Sequence, residues 1–144
     1  IMAGSAYLTG TIRTWSDKTR KAMPDRLEHL IQRSAKAFNA KAKLTYQEGN
    51  AGLSNDPECA ERCRKSIVKL FGEEAVSDYE GTLAGEDFSE YLDIVPGVFV
   101  FLGCRNPDVD AVYPQHSGYY TVDESVLKNG AALAAQYAID FLAE

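Results

Sequence analysis

From Ala6 to Arg13 the chain alternates: Ala6, Leu8, Gly10 and Ile12 fall on one side, and Tyr7, Thr9, Thr11 and Arg13 on the other. A period of two with β-branched content predicts a strand with one solvated face, and it turns Arg13 away from the core. Ser16 or Asp17 stands where a helix cap belongs. The stretch that follows carries Met23, Leu27, Leu30, Ile31, Ala35 and Phe38 on one stripe, at spacings of three and four. Pro24 conflicts with that stripe, because it has no N–H and crowds the carbonyl four residues back. The expectation is a break or kink near Met23, a main helix from Pro24 to Phe38, and Asn39 as a left-handed stop. Residues 41–48 alternate again with Ala42, Leu44 and Tyr46 inward, so the first 48 residues read as strand, helix, strand, with the two strands parallel.

Residues 49–57 combine two glycines with polar side chains and are the best linker in the chain. Asp56 is placed to cap a second helix with Pro57 at its first position. That helix turns Ala60, Cys63, Ile67 and Leu70 inward and ends at Gly72. Glu86 to Val95 has Phe88, Tyr91, Leu92 and Val95 at helical spacing, stopped by Pro96-Gly97. Val98-Phe99-Val100-Phe101-Leu102 is a continuous apolar run of β formers, the signature of a strand buried on both faces in an α/β layer. After a long loop over residues 103–122, Asp123 caps a last helix. Its face is Leu127, Ala131, Ala134, Ala138 and Phe141, widened by Leu133 and Tyr137. The chain reads as mixed α and β in two halves joined near residue 50. The first half has too few strands to stand alone and needs something to cover it.

Composition narrows the function classes. A net charge of -6 over 144 residues argues against a nucleic-acid binder, which needs clustered Lys and Arg. No apolar run reaches the length that spans a bilayer. No secretory signal pattern opens the chain, and Ile1 as first residue points to processing or truncation. Three cysteines, Cys59, Cys63 and Cys104, form an odd and sparse set, which fits free thiols in a reducing cytoplasm. Cys59 and Cys63 stand four apart on a helix. Zinc would need two further ligands, and no His or third Cys lies nearby, so packing is the better reading. Of the two histidines, His29 belongs to a charged helix surface. His116 lies in a loop, Tyr113-Pro114-Gln115-His116-Ser117-Gly118, where an isolated imidazole is usually just solvated.

Five motifs change that picture. Gly10-Thr11-Ile12-Arg13-Thr14 is followed by Thr19-Arg20. Then come Asn55-Asp56-Pro57-Glu58, Ala84-Gly85-Glu86-Asp87-Phe88-Ser89, Pro96-Gly97-Val98 before the apolar run, and Tyr113-Pro114-Gln115-His116-Ser117-Gly118. In this order and spacing the chain resembles the C-terminal part of the metal-dependent amidohydrolases and carboxypeptidases. These include aminoacylases, hippurate hydrolases and indole-acetyl-amino-acid hydrolases. The resemblance implies an α/β protein, with residues 1–48 the second half of an α+β lid and dimerisation domain. Residues 49–144 would be the C-terminal segment of a layered α/β catalytic domain. It also implies two divalent metals, zinc or manganese, clamping a water that attacks an amide carbonyl.

Carried over by position, His116 is the family's C-terminal metal ligand. Arg13 is a lid arginine whose forked guanidinium suits a substrate carboxylate. Gly85 lets backbone approach substrate. Glu86 and Asp87 read more simply as residues favouring a helix N-terminus. Ala84, Gln115 and Gly118 depart from the family's usual Gly, His and Pro without removing the ligand. One histidine builds no catalytic metal site, so the resemblance implies a chain inactive by itself. Its partners would be the family's N-terminal half, a second copy through the lid, and an N-acyl amino acid or small peptide as substrate. The alternative from another class is a non-catalytic binding domain on the same scaffold.

Overall fold

The capping and turn signals place the helices. In the computed structural model, which describes residues 3–143, α1 spans Asp17–Ala37, α2 Pro57–Phe71, α3 Ser89–Leu92 and α4 Leu127–Leu142. Short 3-10 turns occupy Glu73–Ala75, Pro107–Val109 and Glu124–Val126. Ile1, Met2 and Glu144, the end residues of the two expected segments, lie outside the described residues. Contacts divide the chain into two units. One runs to Ser54 and includes Glu80–Asp93; the other comprises Asn55–Tyr79 and the chain from Ile94 onward.

In the first unit, the Ser16 hydroxyl accepts from the Thr19 N–H at 3.2 Å and opens α1. Asp17 in the first turn complements the helix dipole and pairs with Arg20 and Lys21, each at 2.6 Å. Arg20 also pairs with Glu48, and Gln32 Nε2 donates to the Ala42 carbonyl at 2.9 Å, so residues 41–48 lie along α1. The expected break at Met23 does not occur: α1 is unbroken through Pro24. Pairs upstream of Pro24 and half-buried Met23, Leu27, Ile31 and Ala35 hold both sides of it in register. Leu30 and Phe38, expected on that stripe, are exposed. Asn39 stops the helix at φ 55°, with Ala40 N–H donating back to the Ala35 carbonyl at 2.9 Å.

In the second unit, Asp56 accepts from the Cys59 N–H at 2.9 Å, Pro57 opens α2, and Gly72 closes it at φ 89°. The buried residues of α2 are Cys59, Cys63 and Ser66, while Leu70 is exposed. Helix α4 packs on α2 through a polar clamp. The Ser66 hydroxyl donates to Asp140 Oδ2 at 2.7 Å, and Lys69 Nζ to Asp140 Oδ1 at 2.9 Å. This clamp selects the face of α4 with Gly130, Leu133, Gln136, Tyr137 and Asp140. Of the expected face, Leu127, Ala131, Ala134, Ala138 and Phe141 are exposed, whereas Leu133 and Tyr137, expected to widen it, are on the packed side. Helix α3 is one turn rather than the ten residues expected, and Tyr91, Ile94 and Val95 are exposed.

The expected strands at residues 6–14, 41–48 and 98–102 form no ladder among the described residues, where the only bridge pairs Asn106 with Ala111. A strand exists through its neighbours' hydrogen bonds, and the alternation supplies only the side-chain half of that requirement. At Phe99 a side chain substitutes for a neighbouring strand. Asn55 Oδ1 accepts from its N–H at 2.8 Å, and Asn55 Nδ2 donates to its carbonyl at 2.9 Å. The α/β reading therefore holds in its helices, and its sheet is not formed by these residues.

Candidate functional site

Arg13 and Gly85, assigned to substrate by resemblance, are neighbours within the first unit. A Cβ added at Gly85 would stand 2.6 Å from Arg13 Nη1, inside contact distance. Gly85 has no positive φ; the guanidinium end of the flexible Arg13 side chain lies over it. Arg13 is exposed and makes no hydrogen bond or ion pair among the described residues. A guanidinium lying beside a backbone, with no donor paired among the described residues, is suited to a planar anion such as a carboxylate.

The same segment holds a residue the sequence reading missed. A Cβ at Gly81 would stand 2.7 Å from Cζ3 of Trp15, so the indole rests on Gly81 as the guanidinium rests on Gly85. Trp15 is 68% exposed. The signal was available: the period of two that turns Arg13 outward puts Trp15, two residues on, on the same side. Glu86 behaves as its simpler reading requires. Its carboxylate accepts from the Phe88 N–H at 3.2 Å and its carbonyl from the Ser89 hydroxyl at 3.1 Å, which together fasten the start of α3.

His116 lies in the second unit, exposed and at φ 68°. Ser117 N–H donates to the Pro114 carbonyl at 3.2 Å, which makes His116 the third residue of a β-turn. Positive φ at that position is the mark of a type II turn, normally given to Gly or Asn. The rings of Tyr113 and Tyr119 meet across this loop at 5.5 Å. A non-glycine residue held in the left-handed region stores strain of order 1 kcal/mol, and such residues cluster at functional sites. An imidazole presented this way fits one position in a metal's ligand set. Among the described residues no group of three or more His, Cys, Asp or Glu side chains converges to complete that set.

Cys59 and Cys63 are buried, and burial pushes the Cys63 thiol up, so it is a poorer nucleophile than a free thiol. No helix among the described residues is long and apolar enough to cross a membrane.

The chain is similar to thermostable carboxypeptidase 2 of Saccharolobus solfataricus, 32% identical over 98% of this chain and 35% of that protein. It is 26% identical to IAA-amino acid hydrolase ILR1-like 6 of Arabidopsis thaliana, over 96% of this chain and 31% of the relative. A second hydrolase of that name from the same plant, ILR1-like 4, is 28% identical over all of this chain and 34% of its own length. The chain thus spans about a third of the length of the curated relatives it matches. No solved structure matches it. A model describing peptidase family M20/M25/M40 covers residues 3–140, and on that match, together with the carboxypeptidase likeness, the chain belongs to this family.

Proposed function

We propose that this chain is the carboxylate-binding and lid-bearing section of a metal-dependent amide-bond hydrolase acting on N-acyl amino acids or small peptides. The observation that carries the reading is the free Arg13 guanidinium seated against Gly85. Membership of the peptidase family and the names of the carboxypeptidase and IAA-amino acid hydrolase relatives support the substrate class. Arg13 takes the substrate carboxylate in a two-pronged hydrogen bond, and Gly85 leaves the guanidinium room to lie flat. His116 is one ligand of a divalent metal pair, zinc or manganese; bound there, the metals supply a water activated for attack on the amide carbonyl. The remaining ligands and the general base come from outside the described residues, so the chain by itself is inactive.

Residues 1–48 are the second half of a lid and dimerisation domain, and 49–144 the end of an α/β catalytic domain. The glycine-rich stretch at 49–57 and the division of contacts at Ser54 support a boundary there, while Glu80–Asp93 groups by contacts with the first unit. The sheet of this fold is completed by the rest of the family's polypeptide, and the lid pairs with a second copy.

The test is hydrolysis of N-acyl amino acids by metal-loaded protein of the relatives' full length carrying these residues. Arg13→Ala is expected to raise KM roughly tenfold or more, the loss of a charge-assisted hydrogen-bonded pair, with kcat less affected. Tight binding without turnover would make the protein a binding domain instead. An unchanged KM would remove Arg13 from the site.

A further inference from the structure

We infer that Asn106 is a positioning residue: bonded to Asp123, its side-chain amide closes the base of the loop that presents His116. This rests on the reading of His116 as a metal ligand. The connection over residues 103–122 is long and holds little regular structure beyond the turn at Pro107–Val109. Loops of that kind inside a fold are usually functional.

The loop is a ring of short bonded pieces. At its base the Asp123 N–H donates to the Cys104 carbonyl at 3.1 Å, and Asn106 Nδ2 donates to Asp123 Oδ2 at 2.8 Å. The same amide accepts the Asp108 N–H on its Oδ1 at 3.0 Å, so Asn106 is held at both ends. Asn106 and Ala111 then exchange both backbone bonds, at 2.9 and 3.0 Å, and Ala111 is buried. The Val112 N–H donates to the Asp110 carbonyl at 2.9 Å and carries this small hairpin on to the tip. At the tip, Ser117 on Pro114, Tyr120 on Ser117 and the Tyr113–Tyr119 ring contact join residues 113–120 to one another. These last bonds shape the turn at His116 without fastening it to α4; the base does that. A residue at φ 68° keeps its conformation only where the surrounding structure over-determines it.

Asp123 does not need Asn106 to cap the turn that follows, because its Oδ1 takes the Ser125 N–H at 2.9 Å. Its second oxygen serves the loop. The bonds from Ser125 and Asn106 hold the Asp123 carboxyl below the usual carboxylate range, so the acceptor is charged at neutral pH and the Asn106 bond is charge-assisted.

The test titrates zinc against a competing chelator into metal-free protein of the relatives' full length carrying these residues, with Tm read alongside. Asn106→Asp sets a second carboxylate against Asp123, and Asn106→Ala opens the base without adding charge. Each is expected to weaken zinc binding roughly tenfold or more, the loss of a hydrogen bond to a charged group. The reciprocal pair, Asn106→Asp with Asp123→Asn, exchanges donor and acceptor and keeps the bonds to Asp108 and Ser125. It is expected to return zinc affinity to within about twofold of wild type. Asp140→Asn breaks the α2–α4 clamp and is the control: it lowers Tm and leaves zinc affinity unchanged. If His116→Gly weakens zinc and neither Asn106 variant does, the inference is overturned and His116 remains a ligand. An equal loss in Asp140→Asn overturns it too, since the effect would then follow general stability. So does a reciprocal pair no better than Asn106→Asp alone. If His116→Gly leaves zinc affinity unchanged, the ligand reading falls, and this inference with it.

Discussion

His116 shows what a single residue contributes to the case for a site. Its φ of 68° places an L residue where glycine is at ease, in a turn closed by Ser117 on Pro114. If the turn served only to reverse the chain, glycine would serve better. His116→Gly is therefore expected to leave the chain as stable or to gain up to about 1 kcal/mol, the strain relieved less glycine's own entropy. In full-length, metal-loaded protein the same change is expected to lower metal content. Urea denaturation and metal analysis of one variant read the two effects separately. A clear loss of stability would show that the imidazole supports the turn, and unchanged metal content would show that it is no ligand. Arg13 and Gly85 were legible as single residues because each sits in a recognisable motif. The side Trp15 faces was legible in the alternation, but its pairing with Gly81 was not, because that depends on which backbone segment lies under the indole.

At the scale of elements, caps were the most legible feature. Ser16, Asn39, Asp56 and Gly72 all act where the sequence places them, since a cap is a bond between a residue and its own neighbours. Faces were less legible. On α4 an alanine-rich stripe looked like the packed side, yet Ser66, Lys69 and Gln136 gather around Asp140 and turn the opposite side inward. The pattern could not show this, because the Ser66–Asp140 bond joins residues 74 apart. The bonds from Lys69, Ser66 and Gln136 hold the Asp140 carboxyl down to about 2. An unfolded Asp titrates near 3.9. Between these values the unfolded chain binds the proton more readily than the folded one. The clamp's contribution is thus complete above about pH 4 and is lost as pH falls toward 2. Asp17, Asp56 and Asp123 are shifted the same way, so the comparison must be between wild type and Asp140→Asn. The variant is expected to be less stable at neutral pH and to lose less on acidification. Parallel Tm-against-pH curves would refute the clamp. Helix α1 offers a second check. An interior proline costs about 3 kcal/mol relative to alanine, and α1 is unbroken through Pro24. Pro24→Ala should raise the unfolding free energy read by urea denaturation by up to that amount, and no gain would mean the helix already accommodates the ring.

At the scale of the whole molecule, surface area decides what the missing ladders mean. The chain exposes 12029 Å². A compact monomer of this mass would expose about 7,300 Å², and two separate compact units of half the mass about 8,800 Å² together. Even the more generous reference leaves an excess of roughly 3,200 Å², the size of an obligate interface. Much of it is apolar: Val100, Phe101 and Leu102 on one segment, and Leu127, Ile139, Phe141 and Leu142 on α4. Unpaired backbone and bare apolar side chains together promote edge-to-edge association. The purified chain is therefore expected to self-associate at tens of micromolar, to bind a hydrophobic dye, and to scatter light as more than a monomer. Co-expression with the remaining two thirds of a family polypeptide should suppress all three, because the same surfaces would then pair within one fold. A clean monomer at high concentration with no dye binding would mean that the chain covers itself. In that case the strand-like segments would be loops in their own right, and the proposed completion of the sheet from outside would fall.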